Sequence, residues 1–312
     1  MRILRGLRAA ARPPRRSVVT VGVFDGVHRA HQRLIRSAVG MARRLDGTSV
    51  VITFDPDPQA VLDPGHAQPA LMPLEARLAR LRELGVDWAW VIPFTTRFAR
   101  MSAAQFIRRL LIRRLHARRL VVGETFAFGR GRRGDLAILR ALGPAHGMRI
   151  VPVREIRLGG APISSSRIRQ LIARGHLAQA RRLLGADPSL YGVVVRGTGR
   201  GRRLGFPTAN LRLISEVLPP RGVYAVAVHD LAHPRRSWRG VMNLGIRPTF
   251  GPGPLVCEVH LLDFSGTLRG RRVAVSVLAR LRNERCFPSP RSLVRQIRRD
   301  LGWARRLFRR AA

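Results

Sequence analysis

Two groups of residues in this chain could do chemistry. In the first, "VGVFDGVHRAHQ" sets His28 and His31 three residues apart, where a strand-like run gives way to a helix-like one. At a helix start, i and i+3 lie on the same side. A helix N-terminus offers free N–H groups and a positive dipole end, which together make an anion site. Imidazoles added there can donate hydrogen bonds to a phosphate as charge builds during displacement at phosphorus. Taken alone, H-x-x-H leaves an ordinary pair of surface or core histidines open. Zinc is a further alternative, but no third ligand lies at suitable spacing. In the second group, "RGTGRGRRLGFPTANL" carries Gly197, Gly199, Gly201 and Gly205, then Pro207, Thr208 and Asn210. Pro207 stiffens the approach. Thr208 and Asn210 are two apart, so an extended segment points both to one face. Their neutral oxygens can share a Mg²⁺ whose other ligands are ATP phosphates and water. A plain glycine-rich turn, with either polar residue as a cap, is the alternative.

Composition narrows the classes. The formal net charge is +40, and all 58 basic residues are arginine. A nucleic-acid binder would suit that charge. The arginines are spread over the whole length, however, aromatics are 6%, and no helix-turn-helix, RNP or zinc pattern appears. An arginine-coated enzyme is the expectation, and no specific nucleic-acid partner. The missing lysine excludes a Walker A loop, a protein-kinase site and Schiff-base chemistry. At 46% hydrophobic and 312 residues, the chain has room for two ordinary domains. No apolar run reaches bilayer length, so no membrane partner is expected. Cys257 and Cys286 have no metal-like spacing and form no framework, which suits a reducing cytoplasm. The first 16 residues are arginine-rich without a following apolar region, and read as a short N-terminal arm.

The elements that must carry these residues alternate in the first half. Strands are expected at 17–24, 48–54, 88–94, 119–123 and 148–153. Helices are expected at 29–44, 74–84, 102–116 and near 135–142, the second with Leu74, Leu78, Leu81 and Leu84 on one face. This predicts an open parallel α/β sheet, with ligands at the carboxyl ends of its strands. Two short helices near 165–173 and 176–184 close this half, and "GADPSLYG" (185–192) reads as the linker. Beyond it, "YGVVVRG", "GVYAVAVHD", "RGVMNLG", "LVCEVHLLDF" and "RRVAVSVLARL" are short strands separated by turns. They predict a small antiparallel barrel or sandwich, followed by a helix at about 289–309.

"GVFDGVHRAHQ" resembles the G-x-F-D-G-x-H-x-G-H motif of the nucleotidyltransferase superfamily. The fuller resemblance is to the bacterial bifunctional riboflavin kinase/FMN adenylyltransferases, or FAD synthetases. It continues at "TFDPDP" (53–58), "VVGETFAFGRGRRGD" (121–135) and "ISSSRIRQLIARGHLAQARRLLG" (163–185). In the second half "GTGRGRRLGFPTAN", "PPRGVYAV" (219–226), "GVMNLGIRPTF" (240–250), "CEVHLLDF" (257–264) and "LRNERCF" (281–287) match in turn.

The resemblance implies a Rossmann-like nucleotidyltransferase domain over 1–186 and a riboflavin kinase β-barrel with a C-terminal helix over 187–312. It implies ATP binding by Gly22, Phe24, Asp25, Gly26, His28, His31, Ser164, Ser166 and Arg169, and by Gly197, Gly199, Gly201, Pro207, Thr208 and Asn210. It implies flavin contacts from Phe54, Asp55, Thr125, Phe126 and Phe128, and from Arg282, Glu284 and Phe287. Glu258 aligns with the catalytic base that would take the proton of riboflavin's ribityl hydroxyl; a solvent-facing strand glutamate is the alternative. His28 and His31 would serve the transfer of AMP from ATP to FMN. Substrates would be ATP, riboflavin, FMN and FAD, with Mg²⁺ brought by ATP; self-association is left open. Four positions depart from the pattern: Ala30 for glycine, Asp57 for the histidine of "TFDPHP", Thr125 for Asp or Asn, and Arg269 for the tyrosine of "LYG". The first three fall in the adenylyltransferase half, so a kinase with weakened adenylyltransferase activity is the rival reading.

Overall fold

A computed structural model describes residues 1–7, 9, 13–233, 235–246 and 255–310. The end of the "GVMNLGIRPTF" match, from Arg247 on, lies outside the described residues. The chain divides into two compact units, Met1–Pro69 with Leu74–Ser166, and Ala70–Pro73 with Arg167–Ala312.

The first unit contains β1 (Arg2–Arg5), β2 (Val18–Val21), α1 (Arg29–Arg44), β3 (Ser49–Asp55), α2 (Pro58–Leu62), α3 (Leu74–Glu83), β4 (Trp88–Pro93), α4 (Thr96–Ala99), α5 (Ala103–Phe106), β5 (Arg119–Gly123), α6 (Leu136–Leu142), β6 (Arg149–Val153) and the small pair β7 (Arg157–Leu158) and β8 (Ala161–Pro162). Six strands form one sheet in the order β1-β4-β3-β2-β5-β6, and every pairing is parallel. β2, with all four residues buried, is the central switch strand. Its neighbours β3 and β5 lie on opposite sides, and the crevice at its carboxyl end is where such sheets take ligands.

Two expectations are corrected here. The first 16 residues are not simply an arm. Residues 2–5 add a strand to the sheet edge beside β4, with Leu4 in the core and Trp90 Nε1 donating to the Gly6 carbonyl at 2.8 Å. Arginines at both ends of "RILR" suit an edge strand facing water and hide it from a hydrophobicity reading. The helix expected over 102–116 is a short helix, α5, running into a π-helical stretch over Ile107–Ile112. Arg113 N–H donates to Arg108 and Leu115 N–H to Leu110, each five residues back. The wider turn lets Ile107, Leu110, Leu111 and Leu115 all reach the core.

The second unit contains most of α7 (Ser165–Ala173), then α8 (Leu177–Leu184), β9 (Ser189–Val195), α9 (Arg200–Arg203), β10 (Ala209–Leu213), β11 (Gly222–Asp230), β12 (Ser237–Gly245), β13 (Val256–Leu261), β14 (Arg272–Asn283) and α10 (Pro290–Arg310). The strands close into an antiparallel barrel in the order β10-β13-β12-β11-β14-β9. Period-2 alternation explains β13: Cys257, Val259 and Leu261 point into the core, while Val256, Glu258 and His260 face outward. α10 lays Ala304 and Phe308 on the outside of the barrel, against Val223, Ala225, Leu262 and Leu281.

Candidate active sites

In the first unit the chain leaves β2 through a tight turn. Phe24 (φ 56°), Gly26 (φ 77°) and Val27 (φ 39°) all take left-handed backbone. Such angles are costly for non-glycine residues and persist where the surroundings over-determine them. The turn ends at His28, the N-cap of α1. His28 Nδ1 accepts from the His31 backbone N–H at 3.3 Å, so the neutral ring carries its proton on Nε2, free to donate. The two imidazoles stack at 3.5 Å, and Phe24 meets His31 edge-on at 5.2 Å. His28 is 3% exposed, and burial pushes its pKa down to about 4. His31 is pushed well below its ordinary value by burial first, then by His28 and Arg77. His31 Nδ1 is buried without a hydrogen-bond partner among the described residues. At neutral pH this is a pair of uncharged donors at a helix N-terminus, suited to a polyanion that brings its own charge.

The other residues expected around this turn sit as follows. Gly22 N–H bonds the Ile52 carbonyl at 3.1 Å, and Asp25 and Gly26 are buried in the turn. Ser164 and Ser166 are exposed. Between them Ser165, which the sequence reading passed over, donates to the Asp25 carbonyl at 2.9 Å and ties this segment to the turn. Arg169 is half-buried on α7 and belongs to the second unit. Phe54 is buried at the end of β3 against Phe94 and Phe98, with Asp55 exposed beside it. Phe126 and Phe128 stack at 5.3 Å; Phe128 also belongs to the core, and Thr125 is exposed. Ala30 lies in the first turn of α1, where a methyl group is ordinary. Asp57 caps α2, accepting from Gln59 N–H at 2.8 Å.

Arg77 is the larger omission. It occupies the buried face of α3 with Leu74, Leu78 and Leu81, and reaches the ends of β2 and β3. A charged residue at the i+3 position of an apolar stripe was a legible signal, hidden by a sequence in which arginine is everywhere.

In the second unit one cavity of about 170 Å³ opens on the outer face of the barrel. It gathers Gly201, Thr208, Glu258, Arg282, Glu284 and Phe287 of the expected residues. Asn210 pairs with Glu258 in the β10–β13 register, and Asn243 pairs with Glu258 across β12. The Asn210 side chain lies against Gly197, leaving no space for a Cβ there, and lines a separate groove rather than the Thr208 cavity. Gly199 takes a left-handed φ of 73° as the N-cap of α9. The Pro207 carbonyl accepts from His260 Nδ1 at 2.8 Å.

The sequence reading did not include His260, Arg285 or Asp300, which line the same cavity. Asp300, buried on α10, receives Arg282 Nε at 2.9 Å and Gln296 Nε2 at 2.7 Å. Arg282 and Arg285 stand over the Phe287 ring at 5.4 and 4.9 Å. Glu284 accepts from Ile246 N–H at 2.8 Å. Beside Glu258, burial first and that carboxylate second push the Cys257 thiol up to about 12, which keeps it from acting as a thiolate. Arg269 borders a neighbouring groove, its N–H on Thr267 Oγ1 at 3.2 Å.

A buried imidazole pair at a helix N-terminus in one unit and a carboxylate-bearing cavity in the other suit a transferase with two reactions, and comparison with known proteins shows that class. The family model described as FAD synthetase matches residues 10–167, and that described as riboflavin kinase matches residues 184–308. The bifunctional riboflavin kinase/FMN adenylyltransferase of Escherichia coli strain K12 is 38% identical over 309 residues, 99% of this chain and 98% of that protein. The enzyme of the same name from Pseudomonas fluorescens is 38% identical over 308 residues, 98% of each. A crystal structure described as a macrolide-efflux protein from Streptococcus pneumoniae has a TM-score of 0.85 and 31% identity, covering 98% of this chain and 99% of that one. No described helix here is long and apolar enough to cross a membrane. The chain belongs to the bifunctional riboflavin kinase/FMN adenylyltransferase family. It phosphorylates riboflavin with ATP to FMN, and adenylylates FMN with ATP to FAD and pyrophosphate.

Proposed function

We propose that the two reactions use the residues gathered above, with Mg²⁺ entering on ATP. In the kinase unit, Glu258 takes the proton of the ribityl 5′-hydroxyl as that oxygen attacks the γ-phosphorus and ADP leaves. Thr208 lies in the same cavity as Glu258, and Asn210 stands opposite Glu258 in the strand register. Among the described residues no group of three or more His, Cys, Asp or Glu could hold a metal. A neutral hydroxyl and amide fit an ion that arrives already bound to phosphate oxygens, as Mg²⁺ does; to share it, Asn210 would turn from its separate groove toward Thr208. Mg²⁺, when bound, would neutralise phosphate charge. Arg282, Glu284 and Phe287 would border the flavin, their geometry held by Asp300 and the Ile246 N–H.

In the adenylyltransferase unit the nucleophile is the FMN phosphate, already anionic, so no general base is needed. Its oxygen attacks the α-phosphorus of ATP and pyrophosphate departs. His28 and His31 hold the phosphates as neutral donors, together with the free N–H groups of α1 and with Ser164 and Ser166. Phe54, Asp55, Thr125, Phe126 and Phe128 would receive the flavin. ATP-dependent chemistry and the free thiols Cys257 and Cys286 support a cytoplasmic location.

The meeting of Thr208, Glu258 and Arg282 in one cavity carries this reading. Thr208→Ala and Asn210→Ala should each raise the Mg²⁺ concentration for half-maximal FMN formation by about tenfold. FMN-to-FAD conversion should keep its wild-type Mg²⁺ dependence. An unchanged Mg²⁺ curve for FMN formation in both variants would contradict the assignment.

A further inference from the structure

We propose that Arg77 is a positioning residue of the adenylyltransferase, its buried guanidinium fixing the turn that carries the two imidazoles. The inference rests on reading that turn as the ATP phosphate site. Arg77 sits on α3, outside every motif that marks the family-like segments, and is 6% exposed. Its Nη1 donates to the Val23 carbonyl at 2.6 Å, to Thr53 Oγ1 at 3.1 Å and to the Phe54 carbonyl at 3.4 Å. Thr53 Oγ1 itself donates to the Val23 carbonyl at 2.9 Å. One guanidinium therefore ties the carboxyl ends of β2 and β3 together.

Val23 is the residue before Phe24, where the left-handed stretch begins. A turn with two non-glycine residues at positive φ needs external restraint, and the doubly held Val23 carbonyl supplies it at the first strained residue. From there the chain runs five residues to His28, with no regular element between except the turn itself. Where Val23 points decides where the imidazole stack stands over the crevice.

The charge on Arg77 is not accidental to its place. Burial disfavours the ion, and the carboxylates of Asp25, Asp55 and Asp57 act in the opposite direction. Arg77 Nε is buried without a hydrogen-bond partner among the described residues. A leucine would fill the apolar face of α3 without those costs. An arginine here in spite of them marks a demand for a long cationic donor beneath the turn, one that meets three acceptors through Nη1.

The test uses the full chain, comparing Arg77→Met, Arg77→Lys and the His28→Ala/His31→Ala pair. Each preparation is assayed for FMN-to-FAD and, as a check on folding, for riboflavin-to-FMN conversion. In Arg77→Met the kcat for FAD formation should fall about 100-fold, the cost of misplacing groups that must meet a transition state. KM for ATP and FMN should change little, and kinase turnover should stay at the wild-type level. Arg77→Lys, which keeps the charge but loses the reach and planarity of the guanidinium, should lie between, about tenfold below wild type. Wild-type kcat in Arg77→Met, a loss confined to KM, or a parallel fall in the kinase would overturn the proposal. If Arg77→Met fails to fold, Arg77→Lys decides: an intermediate kcat supports it and a wild-type kcat overturns it. Full FAD synthesis in the histidine pair variant would instead overturn the reading of the turn, whatever Arg77 does.

Discussion

On the proposed reading, the two units handle the same cosubstrate with opposite means. In the first, a strained turn at the carboxyl end of a parallel sheet delivers two stacked, uncharged imidazoles to a helix N-terminus. In the second, the outer face of a closed barrel presents carboxylates and guanidiniums joined by ion pairs, with Glu258, Arg282 and Asp300 around one cavity. The nucleophiles account for the difference. A phosphate monoester attacks as it stands, so its site needs positioning and donors. A primary hydroxyl must lose a proton, so its site needs a base. With the sites so assigned, the protonation demand of the nucleophile, more than the ATP, shapes each of them.

Four outcomes would break or sharpen that contrast. The largest effect belongs to the proposed base: Glu258→Ala should lower kcat for FMN formation by about 1,000-fold. Its conversion of FMN to FAD should be unaltered in the same assay, and a shared loss would show that the units do not act separately. Next, replacing both His28 and His31 with alanine should slow FAD formation by about 100-fold or more, as removal of preorganised donors does. Kinase turnover, measured alongside, should remain.

A smaller effect is expected at Asp300. Asp300→Ala leaves Arg282 without its buried partner, and should destabilise the second unit by about 3 kcal/mol in chemical denaturation. It should also raise KM for riboflavin more than it lowers kcat; a fall in kcat with no change in KM or stability would place Asp300 elsewhere in the mechanism. The smallest effect is a flat line. With His28 titrating near 4 and His31 also well below its usual range, both rings stay neutral from pH 8 down to 6. The kcat/KM for ATP in FAD formation should show no limb with a pKa near 6.5, and such a limb would contradict the neutral pair. The sign also holds for stability. The depressed native pKa gives His28 a contribution fully present above its unfolded value of 6.5, lost as pH falls toward about 4.

Much of this arrangement was legible before any coordinates. The β-branched runs of β2, β3 and β5 and the alternation in β13 follow from side-chain periodicity, and α1 matches its expected span of 29–44 residue for residue. The H-x-x-H and P-T-A-N segments stand out as candidate sites because their residue types are scarce in a chain dominated by arginine, alanine and leucine. Arg77 was harder to weigh for the converse reason: at the i+3 position of an apolar stripe it is one arginine among 58. Asp300 and His260 act across the fold, from a helix and a strand face far from Arg282 and Pro207 in sequence. No local spacing encodes such pairs. The strand in "RILR" and the π-helical stretch after Phe106 were missed because only the edge of the sheet and the shape of the core require them.

Complementation tests the division of labour most directly. Riboflavin and MgATP are supplied to Glu258→Ala, to the His28→Ala/His31→Ala pair variant, and to an equal mixture of the two, and the flavins are separated by chromatography. The first should leave riboflavin unchanged, the second should stop at FMN, and the mixture should make FAD. A mixture that makes no FAD, or a histidine variant that makes it unaided, would contradict two self-sufficient centres.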